Sequence, residues 1–299
     1  MSARRTIVGA AAQFSAVVAG IALLAGCAGK PPLPKYASVE AAARKSSAEN
    51  FAALVPDADV VYFPVESAAH GGRSDPAAQL LTALQKTGAP LVIAWDIIDV
   101  SQQPLLDELQ SAQGAAREAI VARLELDATG RAREYCRSVL RSPESAAIRH
   151  LGIAPPRGLV ENVRAGAVLS EAEQAEVPRG FRAPAGEMEA FGQRIAATRA
   201  AAESDVAALY RANLFAEQFA AERIARHFQA GGGGKALVFL RQSDLEPGRG
   251  VPYFVPQKVQ LRQLVFGSDR TRPGTKLLTS LQPGGRVEIV DGTPGAARD

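Results

Sequence analysis

Two short apolar runs separated by one amphipathic segment constrain this chain more than any other feature. The run Ala58-Asp59-Val60-Val61-Tyr62-Phe63-Pro64 is rich in β-branched and aromatic residues and reads as a buried strand. Leu91-Val92-Ile93-Ala94-Trp95 is a second apolar run of strand length. Between them, residues 75–85 place Leu80, Leu81 and Leu84 at helical spacing, and Asp75-Pro76 is a favourable helix start. Strand, helix, strand in that order is a βαβ unit, so both strands should run parallel with a right-handed crossover.

The rest of the chain extends the same alternation. Residues 103–110 and 114–126 read as amphipathic helices, and Cys136 falls on another. Residues 148–156 are ambiguous, with room for a short strand before the Pro155-Pro156 break. Residues 157–184 are rich in Pro, Gly and Glu, which predicts short helices and loops. Residues 187–230 form an Ala-rich helical stretch with a break expected near Ser204. The glycines at 231–234 stop it, and Lys235-Ala236-Leu237-Val238-Phe239-Leu240 follows as a buried strand. Later strands are expected at 259–266 and 286–290. The expected fold is α/β: a mixed, mainly parallel central sheet flanked by helices, with a helical insertion over about residues 157–230 of a domain spanning 45–292. Residues 293–299 read as a frayed tail.

Composition narrows the classes of function. The 34 Lys and Arg are nearly matched by 31 Asp and Glu, so charge alone does not point to nucleic acid. Aromatic residues make up only 6%, too few for a base-stacking platform. A mean hydropathy of -0.02 excludes a protein that crosses a membrane many times. The N-terminus is different in kind. Arg4 and Arg5 precede an uncharged stretch from Ile7 to Leu24, which ends in Leu24-Ala25-Gly26-Cys27. A transmembrane anchor is the alternative reading of such a stretch, and the Leu-Ala-Gly-Cys ending favours a lipoprotein signal over it. The ending resembles the lipobox of bacterial lipoproteins. That resemblance implies a signal peptide at 1–26, acylation of Cys27 with palmitate-type chains, and a tether over 27–44 containing Pro31-Pro32. Ala28, by the same resemblance, implies the outer membrane facing the periplasm.

Most catalytic motifs are missing. There is no Gly-x-Ser-x-Gly and no His-Glu-x-x-His. The glycines before Lys235 fail as a phosphate loop, because Gln229 holds the first glycine position and Ala236 the hydroxyl position. Only His70, His150 and His227 are present, and Cys136 has no partner once Cys27 is acylated.

The stretches Ala58–Ser67, Gln79–Leu84, Pro90–Asp96, Phe215–Ala225, Ala236–Leu240 and Asp244–Pro252 resemble the ChaN-like haem-binding uptake lipoproteins of the TIKI and erythromycin-esterase superfamily. The blocks span about residues 45 to 266, and the lipobox suits that family. Its polar signature is altered. Where relatives carry Gly-Glu-x-His after the first strand, this chain reads Val65-Glu66-Ser67-Ala68. Asp96 replaces a Glu after the second strand, and Asp244 stands where a later His is expected.

The resemblance implies a lipid-anchored binding protein, with haem the implied cofactor and iron acquisition the implied role. The alternatives are a catalytically degenerate scaffold and, more weakly, a metal-dependent hydrolase. Metal binding and proton transfer at such positions depend on imidazole, so the loss of both histidines argues against hydrolysis. Glu66, Asp96 and Asp244 are expected at the carboxyl edge of the sheet, where three carboxylates would suit a hard cation. Haem needs an axial donor. His70, in the loop after the first strand, and Tyr253, after Gly250-Val251-Pro252, are the candidates. Expected partners are the membrane, an envelope uptake component and, since haem can be shared between subunits, a second copy of the chain.

Overall fold

A computed structural model describes residues 55, 58–65, 76–181, 188–189, 191–193, 203–231, 234–245, 250–268, 276–282 and 286–291. The expected signal peptide, Cys27, the tether, Glu66, His70 and the tail lie outside the described residues.

The elements follow the sequence reading closely. Strand β1 (Val60–Pro64) leads to α1 (Pro76–Gln85) and then to β2 (Leu91–Asp99). Helices α2 (Gln103–Ser111), α3 (Gly114–Arg123) and α4 (Gly130–Arg141) precede β3 (Arg149–Ala154). The inserted segment holds α5 (Arg157–Ala165), α6 (Glu171–Glu176) and the long α7 (Glu203–Gln229). Then come β4 (Lys235–Leu240), the four-residue α8 (Val251–Phe254) and three strands, β5 (Gln263–Ser268), β6 (Lys276–Gln282) and β7 (Arg286–Asp291).

The strand order is β3-β2-β4-β1-β5-β6-β7. β1 and β2 run parallel, as their βαβ linkage requires, but β4 lies between them and is parallel to both. β3 and β5 extend the parallel region on either side, and β6 and β7 add an antiparallel hairpin. β6 is a strand the sequence reading did not pick out. β5 begins at Gln263 and not at Val259, because a 3-10 turn at Val255–Gln257 continues into a Val259 N–H bond to the Val255 carbonyl.

β4 shows why its sequence is continuously apolar. All six residues are buried, since both faces of the sheet are covered. Leu237 and Phe239 join one core with Leu80, Leu84, Leu106, Leu109, Ile120 and Leu140. Ala236, Val238 and Leu240 join the other, with Leu214, Ala221 and Ile224 of α7 and Val251 and Phe254 of α8. The first core is centred on rings. Trp95 stacks on Phe239 at 4.6 Å, and Phe63 stacks on Phe266 at 4.9 Å. Each such ring contributes about 1.5–3 kcal/mol by leaving water.

Two side chains close the polar gaps that this arrangement leaves. Arg117 is buried among helices and, among the described residues, pairs with no carboxylate. It donates to the Leu140 and Leu109 carbonyls at 2.7 and 2.9 Å and to Ser145 at 3.2 Å, so it caps two helix ends at once. Gln103 covers the outer edge of β3: its amide accepts from Gly152 N–H at 2.9 Å and donates to the His150 carbonyl at 3.0 Å. That mimics a neighbouring strand and blunts the sheet edge.

Candidate functional site

The carboxyl ends of β2 and β4 are adjacent, and the polar groups gather there. β2 pairs regularly with β3 up to Trp95↔Gly152, and the next pair is Asp99↔Ala154. The surplus residues on β2 make a bulge, a device that turns a side chain away from its regular direction. Asp96 opens this bulge and is buried. The sequence places Asp96 at the end of a five-residue run, whereas the strand in fact continues to Asp99. β4 ends at Leu240; Arg241 follows at once, and buried Asp244 sits in the 3-10 turn Gln242–Leu245.

Arg241 joins the two acids. Its Nε–H donates to Asp244 Oδ2 at 3.0 Å, and the same nitrogen lies 3.4 Å from Asp96 Oδ2. Its Nη1 lies 3.6 Å from Asp127 Oδ2, a looser contact with an exposed side chain. Asp127 is held nearby because its N–H donates to the Ile97 carbonyl at 2.8 Å. Ser243 donates its hydroxyl proton to Asp244 Oδ1 at 3.1 Å.

The electrostatics follow from burial. Desolvation pushes the Asp96 carboxyl well above its usual range; Arg241 opposes this, while the charges of Asp244 and Asp127 and a hydrogen bond with Asp244 reinforce it. Asp96 therefore favours its protonated form. Arg241 is pushed upward by Asp96 first and Asp244 second, so it stays a cation. The cluster thus sets one guanidinium against two buried acid side chains.

Glu66, the third acid of the expected cation site, lies outside the described residues. Asp96 and Asp244 do come together, but around Arg241 and not as an open pair of carboxylates. The guanidinium stands where a hard cation would sit. Among the described residues, no group of three or more His, Cys, Asp or Glu side chains is arranged to hold a metal ion.

Tyr253 lies on α8, whose N-cap glycine meets the Asp244 turn. Gly250 has φ 82°, and a Cβ there would lie 2.1 Å from the Asp244 carbonyl oxygen. Only glycine allows that approach, which seats α8 against the Asp244 turn. Tyr253 is half-buried on α8, packed against the second core with its ring centre 5.3 Å from that of Phe254.

The histidines separate. His150 is buried; its Nδ1 accepts from Trp95 Nε1–H at 3.1 Å, and its Nε2 faces the Ser145 carbonyl at 3.2 Å. Desolvation lowers its pKa to about 4. It is a neutral core residue with both ring nitrogens engaged. His227 lies in the last turn of α7 against Phe228, where a cation complements the helix dipole. Trp95, Tyr210 and Cys136 are buried packing residues.

Arg241 and Asp127 are the residues that sequence reasoning missed. The available signal was an arginine directly after a buried strand and three residues before an acid, a pattern too common to stand out.

A protein-family model described as "Haem-binding uptake, Tiki superfamily, ChaN" matches residues 51–255. No curated protein matches the chain. Among solved structures, the chain resembles that of cofacial heme binding to ChaN of Campylobacter jejuni, at 14% identity and a TM-score of 0.60, covering 84% of this chain and 94% of that one. The type III effector HopBA1 gives a TM-score of 0.39 at 14% identity over 84% of this chain and 94% of its own. An erythromycin esterase, EreC, in its open conformation gives 0.37 at 12% identity over 84% and 80%. At 14% identity the ChaN structure speaks for the fold alone. The family match, which takes in β1, β2, β4 and the Asp96–Arg241–Asp244 cluster, establishes that this chain belongs to the ChaN family of haem-binding uptake proteins in the Tiki superfamily.

Proposed function

We propose that this chain is a lipid-anchored, periplasm-facing protein that binds haem for uptake and leaves its ligand uncleaved. One observation carries the choice of capture over cleavage. The two acids that could activate water or hold a cation are buried and closed onto Arg241. A hydrolytic or metal centre needs such groups open to substrate.

Haem supplies an iron that needs an axial donor such as His, Tyr or Met. Among the described candidates the chemistry fits Tyr253, on the segment seated against the edge cluster. His150 is excluded by its two ring contacts. His70, which falls between β1 and α1 in the sequence, is the other proposed donor. Titration of the purified protein with haemin, followed in the visible spectrum, tests the reading. A shifted Soret band that saturates at micromolar haemin and changes position in Tyr253→Phe or His70→Ala is the expected result. No shift at micromolar haemin overturns it.

The anchor is supported by Leu24-Ala25-Gly26-Cys27. No helix among the described residues is long and apolar enough to cross a membrane. Cells fed an alkyne palmitate should label the wild-type chain in the membrane fraction and leave Cys27→Ala unlabelled. Equal labelling of both would refute lipidation at Cys27.

A further inference from the structure

Arg241 is held from behind and open in front. Its two close contacts run through Nε, to Asp244 Oδ2 and Asp96 Oδ2, and both acid side chains are 2% exposed. The arginine side chain itself is 36% exposed. A guanidinium has five N–H donors, four of them on the Nη atoms. Among the described residues the Nη atoms meet only Asp127, at 3.6 Å, beyond hydrogen-bond length and with an acid side chain that is 67% exposed. An exposed contact of that kind contributes about 0–1 kcal/mol. The buried acids therefore orient the guanidinium plane without using its outer edge. Both buried acids meet the guanidinium at Nε, so the cluster leaves the arginine's outer edge toward the surface. That outer edge is a fork of parallel N–H groups, a shape that matches a carboxylate in two-point contact.

We propose that Arg241 is the ligand's anion anchor: its Nη edge grips a carboxylate of the bound molecule, displacing the loose contact with Asp127. The assignment rests on the haem reading, in which the partner is a propionate group. Asp96 and Asp244 then act as positioning residues, fixing the fork without touching the ligand. Asp127 is the competitor that covers the fork in the free protein. The negative potential of Asp96 first and Asp244 second raises the proton affinity of the guanidinium, which keeps it charged while it works.

The test compares haemin with haemin dimethyl ester, which has the same ring and iron but no free carboxylates. The wild-type protein should bind haemin about 10- to 100-fold more tightly than the ester, the range for one charge-assisted contact. Asp127→Asn should tighten haemin binding and leave ester binding unchanged. Arg241→Lys, which keeps the charge and loses the fork, should lose most of the discrimination. Equal affinity of the wild type for haemin and ester overturns the assignment and leaves the haem reading standing. Uptake of neither compound overturns the haem reading and this assignment with it. The wild-type comparison needs no variant, so a fold defect in an Arg241 variant does not blur it.

Discussion

Replacing Arg241 with Met removes the only close cation, among the described residues, from two buried acids. Asp96 and Asp244 side chains are each 2% exposed, so neither can turn to water for solvation. Removing one partner of a buried ion pair costs about 3–5 kcal/mol. Arg241 is 36% exposed, and solvent screening reduces that to about 2–3 kcal/mol at neutral pH. For a domain of this size the melting temperature should fall by about 4–12 °C. The pH dependence is the sharper criterion. Burial already holds the Asp96 pKa above its ordinary 3.8 in the folded chain, and loss of Arg241 raises it further. A carboxyl with a raised folded pKa contributes stability below its unfolded value, and loses it as pH climbs to the folded value. The deficit of Arg241→Met relative to wild type should therefore be small near pH 4, widen as pH rises, and level off once the acids are ionised. Thermal melts followed by circular dichroism from pH 4 to 8 measure it. Asp96→Asn in the Arg241→Met background removes the acid whose ionisation has become more costly and should restore most of the loss at pH 8. A deficit that is the same at pH 4 and pH 8, or a double variant no better than the single, would refute the shared-cation account.

Three further outcomes follow from single contacts. His150 is held at a pKa of about 4 against an ordinary 6.5, chiefly by desolvation, so the unfolded chain binds its proton first and stability falls by about 3 kcal/mol as pH drops from 6.5 to 4; an NMR titration midpoint above 6 for this ring would contradict its burial. Gly250→Ala places a Cβ on the Asp244 carbonyl at φ 82° and should cost at least about 1–3 kcal/mol in urea unfolding and weaken haemin binding through Tyr253, whereas wild-type values for both would remove the argument for glycine there. Arg117→Met strands the Leu109 and Leu140 carbonyls and should destabilise by about 2–4 kcal/mol; a loss under about 0.5 kcal/mol in the same assay would mean that those helix ends find other donors.

The parts of the fold that were legible in the sequence are those with a local cause. The run Val60–Pro64 and the six residues of β4 are apolar throughout because parallel strands are covered on both faces, and α1 shows its helical spacing because one side meets the core. β3 was ambiguous because its length and its proline break suit strand and loop alike. β6 escaped notice, and β5 began later than expected because a turn after α8 consumes Val255–Val259. Asp96 and Asp244 could be named as candidates from the resemblance, at positions where relatives carry a Glu and a His. Their relation to each other could not, since nothing along the chain says that an arginine beside one acid also reaches the other.

The sequence by itself determined which segments become strands and helices, and that the strands joined through α1 run parallel, because burial on two faces and helical periodicity are written residue by residue. Tertiary structure alone decided that β4 inserts between β1 and β2, bringing Arg241 to Asp96 across the sheet. That placement turns two acids and an arginine into one charge-balanced cluster, since the energy of a buried charge depends on which groups surround it in space and not on which precede it in the chain.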